Sequence, residues 1–162
     1  MSNLSKDSKV WIYQSDRLFT NDESKILYQE LYQFVRDWVS HQNKLLAEYQ
    51  ILYGRFIILI VDENQAGASG CSIDSSVHFI QSLEKSLNLS LFNRLLVHYF
   101  NNEELISVSL DEFQALILSG KVNHETKVID TLIQNLDELE NDFVKPALST
   151  WLKKYFKVQL IE

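Results

Sequence analysis

At 162 residues, 46% hydrophobic and 23% charged, the chain has the profile of a globular protein long enough to bury a substantial core, which excludes a disordered one. A formal net charge of -7 and a pI near 5.1 argue against general affinity for nucleic acid or an anionic membrane, since both need a basic surface. One cysteine can form neither an internal disulfide nor a thiolate metal cluster, which agrees with a reducing compartment. The start, Met1 to Lys9, is polar and lacks the apolar centre of a signal peptide, and the longest aliphatic run is too short to cross a bilayer. A cytoplasmic location without membrane insertion is expected.

Val10-Trp11-Ile12-Tyr13 is β-branched and aromatic and predicts a strand. Thr20-Asn21-Asp22-Glu23 has the spacing of a capping box and predicts a helix to about Ser40. Along it Ile26, Leu27, Leu31, Phe34, Val35 and Trp38 recur every three to four residues as one apolar stripe. Two β-rich runs follow, Ala47 to Tyr53 and Phe56 to Val61. Gly54-Arg55 between them reads as a tight turn with glycine first, so the two are expected to be antiparallel neighbours. Val77, Ile80, Leu83 and Leu87 then give the apolar face of a helix beginning near Asp74, and Leu95 to Phe100 reads as the next strand.

Glu104 to Val108 predicts a hairpin partner for that strand, turning through Asn101-Asn102. Ser109-Leu110-Asp111-Glu112 repeats the capping-box spacing, with Phe113, Leu116 and Ile117 as the buried face and Gly120 just past the helix end. Lys127 to Ile133 fits both strand and helix spacing. The strand is preferred, because Asn135-Leu136-Asp137-Glu138 would cap a new helix directly after it. Pro146 interrupts the next stretch, and Ala147 to Phe156 is expected to form a last helix with Trp151 buried.

The order βαββαβ predicts an α+β protein of ferredoxin-like type: an antiparallel sheet with both helices on one face, plus a C-terminal β/α extension. Val10 to Tyr13 and Phe56 to Val61 do not alternate in polarity, so both are expected at the sheet centre, covered on two faces. The predicted core comprises Trp11, Ile26, Leu31, Phe34, Ile58, Ile60, Val77, Ile80 and Leu83. A single domain over residues 1–162 is the economical reading, with its core at about 9–100 and the extension at about 101–162. If the residues after Leu110 leave the second sheet face bare, a homodimer is expected.

The segment Asp62 to Asp74 gathers two of the four glycines, the only cysteine and three acids between an apolar strand and a helix. Gly67, Ser69, Gly70, Cys71, Ser72 and Asp74 are candidate ligand-binding residues, because a glycine-containing loop aimed at a helix N-terminus can hold an anion. Cys71 is a candidate nucleophile or redox thiol with His78 one to two turns on, and Asp62 and Glu63 are candidate acid and base at a strand end. Each has a plainer alternative: a packing cysteine, a half-exposed helix histidine, solvated strand-end acids, and Ser72, Asp74 and Ser75 as helix caps. For Cys71 the packing role is the expected one.

Val10-Trp11-Ile12-Tyr13-Gln14, Trp38 with His41, Phe56-Ile57-Ile58-Leu59 with Val61-Asp62-Glu63, Gly67 to Asp74, and Leu91-Phe92 before Arg94 together resemble a family of uncharacterised small bacterial proteins. That family often carries the label of ATP-binding-cassette transporter ATPases, and the resemblance covers most of the chain. It implies no particular activity. The ATPase label fails on the residues: a phosphate loop needs G-x-x-x-x-G-K-[S/T], whereas Gly70 is followed by Cys71-Ser72, and the loop follows the acidic strand where it should precede it.

His41, His98 and His124 have no metal-site spacing, and neither a cofactor nor a metal is expected. Trp38 and His41 are expected to share a helix end, and Lys153, Lys154 and Lys157 to form a solvated helix face. Two functions remain. The favoured one is a non-enzymatic interaction or scaffold protein that self-associates. The other is a small-molecule or phosphate-binding enzyme with its site at Gly67 to Asp74.

Overall fold

The structure, a computed structural model, describes residues 2–40, 42–64 and 66–156. It is a mixed α+β protein with antiparallel sheets, and its residues cluster into two compact units. One holds Met1–Asn93 with Gln134–Leu139, the other Arg94–Ile133 with Glu140–Glu162.

In the first unit, β1 (Lys9–Gln14) is followed by α1 (Asn21–Asp37). The Thr20 hydroxyl accepts from the Glu23 amide at 3.1 Å and the Glu23 carboxylate accepts from the Thr20 amide at 2.8 Å, so two of the helix's orphan amides are satisfied reciprocally. Helix α1 stops at Asp37, three residues before the expected Ser40. Trp38 turns to extended geometry, and β2 (Val39–Ser40) pairs with β3 (Asn43–Lys44). A long hairpin follows, β4 (Leu46–Leu52) against β5 (Phe56–Asp62). Its turn spans Tyr53, Gly54 and Arg55. Both Tyr53 and Gly54 have positive φ, and the Arg55 amide donates to the Leu52 oxygen at 3.1 Å. The hairpin is thus as expected, with one more turn residue than Gly54-Arg55.

The sheet order is β1-β5-β4. Those are three consecutive strands of the ferredoxin-like order, but among the described residues the expected fourth, at Leu96–Asn101, belongs to a separate sheet, and β1 stands at an edge instead of the centre. Other backbone fills that edge. The Gln14 amide donates to the Leu91 oxygen, the Val10 amide to the Gln134 oxygen, and the Leu136 amide to the Ser8 oxygen. The last contact comes from the helix Leu136–Asp142, which the Asn135 side chain caps through the Glu138 amide at 2.9 Å, as its spacing predicts.

Helix α2 (Gly70–Leu87) shares one sheet face with α1: Leu27 and Leu31 of α1 and Ile80 and Leu83 of α2 meet Ile57, Leu59 and Val61 in one core. Every residue of β5 is buried, including Ile58 and Ile60 of the opposite face, as its unbroken apolar run predicts. The expected core is corrected at Ile26, which is 41% exposed, and at Trp11, Phe34 and Val77, which are half-buried. Adjacent stripe positions Ile26 and Leu27 cannot both face the sheet, and Leu27 takes the buried place.

In the second unit, β6 (Leu96–Asn101) and β7 (Glu104–Ser109) form the expected hairpin, with Asn102 at φ 57. Ser109 caps α3 (Leu110–Leu118), whose Phe113 and Ile117 are buried and whose end is followed by Gly120 at φ 76. The ambiguous stretch is the strand β8 (Lys127–Ile129), which joins β6 and β9 (Val144–Pro146) in the order β7-β6-β8-β9. Lys145 on β9 holds Asp130, just past β8, at 2.7 Å. The expected last helix is two short 3-10 segments, Ala147–Ser149 and Trp151–Phe156. Trp151 is only half-buried, while Leu152 and Phe156 enter the core.

Candidate functional site

The segment from Asp62 to Asp74 is held by its own polar groups. Asp62, at the end of β5, is buried and accepts from the amides of Asn64 at 3.0 Å and Ser5 at 3.2 Å. The Asn64 amide above all holds its carboxyl below the ordinary range, against the opposing effect of burial, so Asp62 is a fixed anion and a poor proton acceptor. Glu63 pairs with Lys9 at 3.0 Å and accepts from the Ala68 amide at 3.0 Å. Its carboxylate fills the space beside Gly67, where a Cβ would lie 3.0 Å from Oε2. A side chain at Gly67 would therefore press on the Glu63 carboxylate, a contact the anion-site expectation did not foresee.

Helix α2 begins at Gly70, one turn before the expected Asp74. Ser69 is its cap: the Ser69 hydroxyl accepts from the Ser72 amide at 3.2 Å, and the Ser72 hydroxyl accepts from the Ser69 amide at 2.7 Å. A serine stands at the third helical position, where a capping box usually has glutamate, so the Ser69 start lacks the common signature. Asp74 lies inside the helix and is exposed, so it is not the cap.

Cys71 is exposed, which corrects the expectation of a packing cysteine. His78 is also exposed, but seven residues along a helix is a rise of about 10.5 Å, too far for a direct hydrogen bond to the thiol. The candidate residues therefore do not converge as a catalytic set. Asp62 faces Ser5, Glu63 faces Lys9, and Ser69 and Ser72 face each other.

Of the histidines, His98 is buried with Nδ1 2.6 Å from the Ser107 hydroxyl, and the His124 ring stands edge-on to Phe156. His41, Lys157 and Gln65 lie outside the described residues. Among the described residues no three His, Cys, Asp or Glu side chains are grouped to hold a metal, and no helix is long and apolar enough to cross a membrane.

A second surface lies where α1 crosses β4. Tyr28 and Tyr32, one turn apart on α1, are 48% and 58% exposed. The Tyr49 ring of β4 lies 6.1 Å from that of Tyr28, and its hydroxyl donates to the Tyr28 backbone oxygen at 3.3 Å. Burial, reinforced by the two neighbouring tyrosines, raises the Tyr49 pKa above its ordinary value, so it stays a neutral donor. These rings and Gln29, Glu30 and Gln33 line an open groove of about 600 Å3. A second groove, of about 380 Å3, runs between α1 and α2 over Phe34, Trp38 and Phe79. Sequence reasoning missed the tyrosines. Their signal was aromatic residues set one position off the Leu27 and Leu31 stripe, on the side of α1 expected to be polar.

The chain matches no protein-family model, no curated protein and no solved structure.

Proposed function

We propose that the protein is a non-enzymatic interaction domain of the cytoplasm that binds through the α1–β4 side and associates with itself. The observation that carries this reading is the contrast between its two candidate surfaces. In the loop, the polar groups of Asp62, Glu63, Ser69 and Ser72 are spent on holding the backbone. On the α1–β4 side, Tyr28 and Tyr32 are held beside Tyr49 with their rings open to solvent. Tyrosines of this kind offer large, stiff, amphipathic area at small entropic cost, which is why they are enriched at interfaces. The resemblance to the family labelled as transporter ATPases is compatible with this reading, as it brings no activity with it.

The alternative is a phosphate-binding or other small-molecule enzyme at Gly67 to Asp74, and the exposure of Cys71 in the first turn of α2 favours it. Sedimentation velocity of the full chain from low to high micromolar concentration tests the first reading. Association that weakens in Tyr28→Ser/Tyr32→Ser and is unchanged in Cys71→Ser supports it; a monomer at every concentration would sink it.

A further inference from the structure

Strand β4 pairs with β5 on one side only, since the sheet ends there. Among the described residues its backbone from Leu46 to Leu52 makes no hydrogen bond outside that ladder, save the turn bond from Arg55 to Leu52. An edge strand of seven residues normally carries a device against pairing, such as proline, lysine or a bulge. The sequence Leu-Ala-Glu-Tyr-Gln-Ile-Leu has neither proline nor lysine, its register with β5 is unbroken, and Glu48 is the one charge along it.

We infer that the partner at this edge is a second copy of the chain, joined antiparallel through β4 about a two-fold axis at Tyr49, so that two three-stranded sheets become one of six. This rests on the interaction reading above and names its surface. The strand is self-complementary in that register. Leu46 falls opposite Leu52, Ala47 opposite Ile51 and Glu48 opposite Gln50, with every pair on a common face because the side-chain period is two. Its one charged residue therefore meets an amide that can donate to it, never a like charge. Glu48 Oε2 accepts from the Ser2 hydroxyl at 2.6 Å, and Oε1 is the oxygen offered to Gln50. Tyr28 and Tyr32 stand beside Tyr49 and extend the contact beyond the strand, whose own area is small for a stable dimer.

Position 50 tests the register through charge. Gln50→Glu sets two like-charge pairs across the axis and should raise the dimer dissociation constant by roughly two- to thirtyfold, whereas Gln50→Lys, opposite Glu48, should not. Separately, Tyr49→Cys in a Cys71→Ser background should form an interchain disulfide under mild oxidation, because residues at the axis face their own copies. Circular dichroism confirms that each variant is folded. A wild-type dimer with equal constants for Gln50→Glu and Gln50→Lys, and no cross-link at position 49, would overturn the β4 edge while leaving the interaction reading standing. A wild-type chain that stays monomeric would overturn both.

Discussion

The indole nitrogen of Trp38 donates a buried hydrogen bond of 2.9 Å to the backbone oxygen of Ser72, tying the residue that ends α1 to the residue that closes the cap of α2. The Trp38 ring also packs on Phe34, at 5.1 Å between centroids, and stands edge-on to Trp11 at 6.2 Å. One side chain thus joins the end of α1, the first turn of α2 and β1. Trp38→Phe keeps most of the ring and removes the donor, at a cost of about 1 kcal/mol from the hydrogen bond. Trp38→Ala should cost about 3 to 5 kcal/mol. Urea denaturation of both variants checks this, and a Trp38→Phe protein as stable as the wild type would show the bond to be dispensable.

A second expectation concerns acid. Glu23 is held to a pKa of about 2, chiefly by the Arg17 guanidinium at 2.8 Å and then by the Thr20 amide. A carboxyl whose folded pKa is depressed contributes stability above its unfolded pKa, near 4.5, and loses it as pH falls through the folded value. The stability gap between wild type and Glu23→Gln should be constant above pH 4.5, shrink below it and vanish near pH 2. A gap that is flat with pH would remove the carboxylate from the cap.

Gly54 has φ 62, and a Cβ there would lie 3.2 Å from Leu18 Cδ2. Gly54→Ala should therefore destabilise by roughly 1 to 2 kcal/mol through backbone strain alone. Gly70, in ordinary helical geometry with open space around it, should tolerate alanine without such a cost. Thermal denaturation of the two variants side by side checks the contrast, and equal midpoints would refute it.

Cys71 is exposed, so iodoacetamide should label it in the native protein at a rate comparable to that in denaturant. Native-state protection would mean that the α2 start is more enclosed than its geometry indicates. Labelling should leave association unchanged, because the thiol is remote in role from the α1–β4 side.

Much of this architecture is legible in the residues. The Thr20–Glu23 box, the Ser109 and Asn135 caps, the unbroken apolar run of β5 and the hairpin around Gly54 each follow from local chemistry, and each forms. The misses have non-local causes. Nothing near Leu96 says that its strand joins β8 in a sheet separate from that of β1, or that Leu91 and Gln134 will occupy the edge of β1. In the candidate site, composition drew the eye to acids and hydroxyls that the fold consumes, since Asp62 answers an amide 57 residues away in Ser5. The tyrosines of α1 were passed over because they sit one position off the Leu27 and Leu31 stripe, on the side of the helix expected to be polar.

The central claim is that the working surface is the α1–β4 side and not the loop before α2. Amide hydrogen exchange of the full chain, compared at low and high protein concentration and with added inorganic phosphate, tests it most directly. Protection should rise with concentration at Leu46 to Leu52 and in α1 near Tyr28 and Tyr32, and Gly70 to Ser72 should not respond to phosphate. Concentration-independent exchange in β4, with phosphate protecting the amides of Gly70 and Cys71, would contradict the claim and return the site to the loop.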